Sequence, residues 1–457
     1  MKKTDRTRIL SKVHRTVGIL YKITPFAVGM FKYYPYYKNS SDSLFPFFDS
    51  IYASILLYGG VVKDGLPVDA WFQIARFFGM AATLNILLIL FRRFSRLKLL
   101  NRASTVVYGN SAYADRIYNS LDVSCRIRGD SEFIDKAGRY VIMFSDDKKN
   151  IRFYSEHYSK LKDKRTYILL ENVSRQNIEN EKVTVFSLSE ICAREYWRSF
   201  PPEKSEKIAL IGFGTLGEHL LVNGLLTNII DPGQRFEYHI YGNGENFRRL
   251  RTELDKMLPD EIVFHDDGVY TLDEISGFDR LILCAGESEN IFTLSELAAH
   301  APILPEVYVY SPNGDIVTNL FGRDKIHIFG SADKTATIDM VMNEGVMKNA
   351  RRQHENYVSQ HGGTEWKKLS TFKRYSNVSS ADFFDVIKRL KNRGVPAETL
   401  AELEHIRWCR YHWLNNWKYG SVRDDSKRIH NDLIPYSELS REEQLKDTEA
   451  IAGKLAE

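Results

Sequence analysis

Apolar positions along the chain follow three different rhythms, and each predicts a different kind of element. The first is continuous. Ala70 to Phe91, AWFQIARFFGMAATLNILLILF, is apolar along most of its length and long enough to cross about 30 Å of hydrocarbon. It stops in RRFSRLK, where Arg92, Arg93, Arg96 and Lys98 have no acid among them, which assigns that end to the cytoplasm. Gln73, Arg76 and Asn85 interrupt the stretch. Polar groups at such depth face a bundle interior or a pore, although Arg76, near the outer end, has snorkelling as its alternative. An earlier stretch, Thr16 to Phe31, is shorter and contains Lys22 and Pro25. Lys12 and Arg15 precede it, and Tyr33, Tyr34, Tyr36 and Tyr37 follow. It reads as a first span or as a helix lying on the membrane. Between the two, residues 45–60 (FPFFDSIYASILLYGG) make a helix of only about 18–20 Å, too short to cross. The Gly59-Gly60 pair ends it at a sharp turn. A short apolar helix that enters and turns back is a re-entrant element.

The second rhythm begins at Ser104, where short apolar runs alternate with helical stretches. STVVYGNSAYADRIYNSL reads as strand, tight turn and helix, and 139–147, 166–172 and 183–189 supply further strands. The order then restarts at KIALIGFGTLGEHLLVNGLL (207–226), followed by strands at 236–242, 261–267, 279–286, 305–311 and 325–330. Such alternation predicts parallel sheets covered on both faces. The third rhythm is helical. After a polar connection at 345–378, one helix is expected from Ala381 to Asn392 and another from Pro396 towards Gly420. Trp413 and Trp417 would share a face of the second one, with Trp408 and Tyr411 on the same helix. These rings are either core or an aromatic wall for a planar ligand.

Composition changes this picture little. A net charge of +4 over 457 residues gives no footprint for nucleic acid. Cys125, Cys192, Cys284 and Cys409 are scattered without a C-x-x-C pair, which speaks against a zinc site or disulfide framework and fits a reducing compartment. No cleavable signal peptide is expected.

Candidate chemistry concentrates at Gly212-Phe213-Gly214-Thr215-Leu216-Gly217, a G-x-G-x-x-G between a strand and a helix. There the first glycine permits the turn, the second lets backbone N–H groups approach a phosphate, and the third permits close helix packing. The carboxylate that usually holds the ribose diol is displaced: the strand ends Tyr241-Gly242-Asn243-Gly244, and only the later Glu245 remains. A nucleotide is therefore expected, with NAD less favoured than another nucleotide signal, or else the unit serves as an assembly surface. Gly286 closes a strand at the same edge, beside Cys284, which is a reactive thiol or a packing residue. The earlier turn, Gly109-Asn110-Ser111-Ala112, has lost the further glycines. No Tyr-x-x-x-Lys, G-x-S-x-G or H-E-x-x-H is present, so no enzymatic role and no metal site are expected.

Three resemblances follow from these residues. FFDSIYASILLYGG with FQIARFFGMAATLNILL resembles the pore module of potassium-channel-like proteins, which implies pore residues at Leu57, Tyr58, Gly59, Gly60 and Asn85. LLYGG departs from the TVGYG run of a potassium filter, so potassium selectivity is not implied; a two-helix anchor without a pore is the alternative. The tandem strand–turn–helix units over about 100–335 resemble the gating domains called regulators of potassium conductance, which implies ring assembly, a tetramer favoured. Residues 400–439 resemble the ryanodine-receptor repeat domain through Glu404, His405, Trp408, Trp417, Tyr419, Gly420, Arg423, Asp424, Asp425, His430, Pro435 and Tyr436. That resemblance implies a small regulatory module, in which Arg423 and His430 beside Trp408, Trp417, Tyr419 and Tyr436 would suit a phosphate and a stacked base.

The expected architecture is a membrane α-helical hairpin with a re-entrant pore helix at 1–100, two tandem Rossmann-like parallel-sheet domains at 101–203 and 204–345, and a small, mostly α domain at 370–457. The expected function is a ligand-gated ion-conducting protein of the cell membrane. It would be a multi-pass homo-oligomer with cytoplasmic termini, partnered by lipid and a small nucleotide-type ligand and not by nucleic acid. A bacterial stress or anti-phage role is one setting for it. The alternatives are a membrane-anchored nucleotide-dependent enzyme of oxidoreductase type and a non-conducting sensor scaffold.

Overall fold

The computed structural model describes residues 22–41, 43–63, 67–99, 104–135, 137–172, 182–301, 305–321, 325–343 and 345–456. The chain divides into two compact units, residues 1–100 and 101–457.

In the first unit, residues 22–38 are helical. The part of the expected first span before residue 22 lies outside the described residues. The short helix is Pro46–Leu56, with Pro46 at its first turn, where a missing N–H costs nothing. A single 3₁₀ turn, Leu57–Gly59, follows, and Gly60 adopts the left-handed conformation at φ +77°. The long helix is Ala70–Leu99, opened by the Asp69 carboxylate, which accepts from Phe72 N at 3.0 Å and pairs with Lys32 at 2.6 Å. Phe72, Ala75, Gly79 and Ala82 are buried. At Gly79 a Cβ would stand 2.4 Å from the Leu57 carbonyl oxygen, so the helix can lie this close to the turn only without a side chain there. Thr83 Oγ1 donates to the Tyr58 carbonyl at 2.8 Å, and Arg76 Nε donates to the Gly60 carbonyl. Arg76 is half-buried there. Asn85 is exposed on the far part of the helix.

Among the described residues one helix is long and apolar enough to cross a membrane, over Ala70–Leu88, and only 22% of that stretch is buried. Most large apolar side chains left exposed lie between Ile23 and Leu90, including Phe31, Phe45, Phe48, Trp71 and Phe77.

The second unit holds two fully parallel sheets. The first orders its strands β2-β1-β3-β4-β5, with β1 Thr105–Tyr108, β2 Arg126–Gly129, β3 Arg139–Ile142, β4 Arg165–Leu169 and β5 Val183–Phe186. The second orders them β11-β10-β9-β6-β7-β8, with β6 Lys207–Ile211, β7 Glu237–Tyr241, β8 Glu261–His265, β9 Arg280–Leu283, β10 Glu306–Tyr310 and β11 Ile326–Phe329. That is the doubly wound order, with its switch point between β6 and β9. The first sheet has the same order with the outermost strand missing. β2 was not anticipated: RIRG alternates arginines with Ile127 and Gly129 and offers no apolar run.

The helix Leu188–Ser199 leaves the first sheet and packs on the fingerprint helix Thr215–Thr227, where Trp197 Nε1 donates to the Leu220 carbonyl at 2.8 Å. Two expectations about the C-terminal part are corrected. The polar connection is largely helix, Gly345–His361 and the first part of Thr371–Asn392, because Val346, Met347 and Ala350 form a narrow stripe that packs against Trp366, Leu369 and Val378. The helix expected to reach Gly420 is Ala397–Leu414, ended by Asn416 at φ +59°, a conformation Asn tolerates better than most side chains.

Candidate ligand sites

At the switch point the three glycines occupy three different environments. Gly212, at φ +87°, leaves β6 so close to β9 that a Cβ would sit 2.4 Å from Ala285 Cβ. A Cβ at Gly217 would stand 2.8 Å from the Phe213 ring and 3.3 Å from Cys284 Sγ. A Cβ at Gly214 would meet nothing within 4 Å, and Gly214 opens the thirteen-residue helix Thr215–Thr227 with no side-chain cap. The first-turn N–H groups of that helix, with the positive end of its dipole, are left without a side-chain cap, an arrangement that can receive a phosphate. Phe213 and Leu216 are buried core side chains. Thr215 Oγ1 donates to Asn172 Oδ1 at 2.6 Å, so the first sheet supplies a polar group directly over the turn. Asn172 was not anticipated, since it lies 43 residues away with no local signature.

Gly286 starts the helix Glu287–His300 across the same crevice. Glu245 is exposed at the start of the helix Glu245–Leu250. The charge fixed at the ends of β7 and β8 is instead an ion pair. Asp266 accepts from Arg248 at 2.6 and 3.1 Å and from Gly244 N at 3.0 Å. Cys284 is a packing residue, its thiol pushed up to about 12 by burial and donating to the Ile211 carbonyl at 3.3 Å.

The earlier turn is built differently. Gly109, at φ +128°, repeats the role of Gly212, a Cβ there standing 2.2 Å from the Met143 carbonyl oxygen. Its helix N-terminus, however, is capped by Ser111 Oγ, which accepts from Ala114 N at 3.2 Å. Tyr113 then reaches into the second sheet, where its hydroxyl lies 2.9 Å from Tyr310 Oη and donates to the Gly330 carbonyl at 2.9 Å. The degenerate fingerprint is a docking contact between the sheets.

In the C-terminal part the nine expected residues fall into separate environments. Glu404 forks onto Arg407 at 2.8 and 3.0 Å and accepts from Ser380 Oγ at 2.7 Å, which fixes the helix Ala397–Leu414 on Thr371–Asn392. His405 Nε2 donates to the Ile434 carbonyl at 2.8 Å, with Tyr436 packed 5.9 Å away. Trp408, Trp417 and His430 do converge, around two residues that were not anticipated. His412 lies 4.0 Å from Trp408, 5.2 Å from Trp417 and 5.8 Å from His430 by ring centres. Phe372 stacks on Trp417 at 5.2 Å.

His412 donates Nδ1–H to the Trp408 carbonyl at 2.8 Å, and burial lowers its pKa to about 3, with His430, Arg407 and Arg423 adding repulsion. His430 is held down by partial burial first and by Arg423 second. Arg423 is exposed and forks onto Asp425 at 2.7 and 3.2 Å. Asp424 caps Ser426 and Lys427, and Tyr419 is exposed on the short strand Lys418–Tyr419, which pairs with Ile429–His430. A neutral imidazole and ring cluster with a guanidinium at its edge can stack a planar group and bind an oxyanion.

This module is not a free appendage. Arg410 of its helix is buried and pairs with buried Asp260 at 2.7 Å, while donating to the Leu225 and Met257 carbonyls at 3.0 and 3.1 Å. Asn416 accepts from Thr252 N and donates to the Leu250 carbonyl, both at 2.9 Å, clasping the end of the helix that begins at Glu245.

Fold and sites together define a doubly wound α/β protein with tandem parallel sheets and a helical C-terminal module. Residues 390–456 match the RyR domain family, which coincides with the module just described. No curated protein and no solved structure matches the chain.

Proposed function

We propose that this protein is a membrane-embedded, ion-conducting homo-oligomer, a tetramer by preference, gated by a nucleotide-type ligand bound in its cytoplasmic unit. The observation that carries the membrane part is the apolar coat of residues 23–90, which is too large for a surface bathed in water. The order of helix, eleven-residue helix ending at left-handed Gly60, and long helix supports a pore rather than a plain anchor. The Tyr58 and Gly60 carbonyls already accept from Thr83 and Arg76 of the same chain, which weakens them as replacements for the hydration shell of an ion. A pathway with little discrimination among monovalent cations follows.

The ligand sites of this reading are the uncapped turn Gly212–Gly217 with Asn172 above it, and the Trp408, His412, Trp417, His430 and Arg423 group in the RyR-type module. Gating requires that ligand bind one arrangement of the assembled ring more tightly than the other. Reconstitution into liposomes, with potassium and sodium flux followed while ATP, ADP, AMP and NAD are added in turn, tests it. Flux that responds to one of them supports the reading. No flux under any condition at confirmed incorporation sinks the channel. Mass spectrometry of nucleotide released by denaturing the purified protein identifies the ligand independently of conduction.

A further inference from the structure

Just past β4, Glu171 and Asn172 join the starts of three helices, all inside the one compact unit 101–457. The Asp147 carboxylate, on the first residue of the helix Asp147–Glu156, accepts from Glu171 N at 2.9 Å and from Asn172 N at 2.8 Å. The Glu171 carboxylate accepts from Ser187 Oγ at 2.7 Å, Leu188 N at 3.0 Å and Ser189 N at 3.2 Å, at the start of the helix Leu188–Ser199. Asn172 reaches the third start, where its Oδ1 accepts from Thr215 Oγ1, the first residue of the fingerprint helix. The first sheet therefore grips that helix twice. The grip through Trp197 on the Leu220 carbonyl is buried, whereas Asn172 is exposed and Thr215 half-buried.

Donor and acceptor capacity decides what the exposed grip means. A threonine hydroxyl carries one proton and donates to one acceptor at a time. The Asn172 amide is oriented from its other end, since Nδ2 donates to Asp147 Oδ2 at 3.2 Å. What it turns to Thr215 is a carbonyl oxygen. Phosphate oxygens are acceptors too, so this oxygen offers a phosphate nothing and holds the donor that a phosphate would use. We propose that a nucleotide phosphate at the turn Gly212–Gly217 takes the Thr215 hydroxyl from Asn172, so that filling the site on the second sheet releases Asn172 of the first. This rests on reading that turn as a phosphate site. An ionised oxygen makes a shorter and roughly twofold stronger bond than an amide oxygen, and the helix dipole favours the anion further. The exchange therefore runs towards the ligand. The buried grip through Trp197 stays in place, so the two sheets loosen at this rim without coming apart.

The sign of one substitution separates a rival from a contact. Calorimetry of the full chain in detergent, with ATP, ADP, AMP and NAD as probes, should show Asn172→Ala binding about three- to tenfold tighter than the unaltered protein, because one neutral hydrogen bond no longer has to be given up. Thr215→Val should weaken binding by a similar factor, and adding Asn172→Ala to it should restore nothing, since the two side chains act through one bond. In hydrogen exchange, the nucleotide that binds should speed exchange at the Glu171 and Asn172 amides. Weaker binding by Asn172→Ala would make Asn172 a ligand contact and overturn the proposal. Unchanged affinity in that variant would overturn it as well, while leaving the phosphate site standing. If none of the four probes binds the unaltered protein, the phosphate reading of the turn falls first and the competition falls with it.

Discussion

Two glycines of the fingerprint, Gly212 and Gly214, separate stability from binding. At Gly212 a methyl group meets Ala285 and the backbone sits at φ +87°, so Gly212→Ala should cost at least about 2 kcal/mol of stability by thermal or urea unfolding. At Gly214 the same methyl group enters open space. Gly214→Ala should leave the melting temperature unchanged while weakening nucleotide binding by roughly tenfold in calorimetry, because it blocks close approach to the helix N-terminus. Equal losses in both variants would remove the phosphate role. His412 makes a different prediction. Its folded pKa, about 3, lies below the unfolded value near 6.5. The stability it contributes is therefore complete above about pH 6.5 and falls by up to about 1.4 kcal/mol per unit as pH drops towards 3. Melting of the protein between pH 7 and 4 should show that slope, and His412→Phe should flatten it. His405 and His430, also held below their ordinary values chiefly by burial, add to the acid sensitivity that remains.

Among the elements, Ala397–Leu414 ties the C-terminal module to the second sheet. Its Arg410 and Asp260 are both buried, so Arg410→Ala should destabilise by about 3–5 kcal/mol, most of it the cost of stranding a buried carboxylate. If the melting temperature stayed put, the two parts would be shown to fold independently. Asn416 clasps Leu250 and Thr252 on the element that follows β7, so the module also touches the rim of the fingerprint site. This helix was legible through its apolar and aromatic residues, but its end was not. Helix periodicity runs on to Trp417, and what stops it is the left-handed Asn416, whose reward is a pair of hydrogen bonds to residues 164 and 166 positions away. The helices at 345–361 and 371–380 were missed for the opposite reason: their apolar stripes are one residue wide and are paid for by Trp366 and by each other.

For the whole molecule, the parallel sheets were legible because strands buried on both faces carry continuous apolar runs. Strand order was not, since register and neighbours are chosen by packing. The proposed assembly makes one prediction at this scale. In reconstituted protein, potassium and sodium permeabilities should agree within roughly threefold, and a strongly potassium-selective current would mean that Tyr58 and Gly60 change partners when subunits assemble.

Local chemistry was readable from the chain alone: the alternation of strands and helices, the two glycine turns at 109 and 212, and the residues of the RyR domain between 390 and 456. Each depends on neighbours within a turn or a strand, where spacing and residue type decide conformation. Only the tertiary structure decided that Tyr113 docks the first turn on Tyr310 and Gly330, that Asn172 overhangs the second, that Arg410 finds Asp260, and that Arg76 finds Gly60. Those pairs join residues far apart in sequence. Their worth comes from removing two polar groups from water together, a requirement that neither residue reveals by itself.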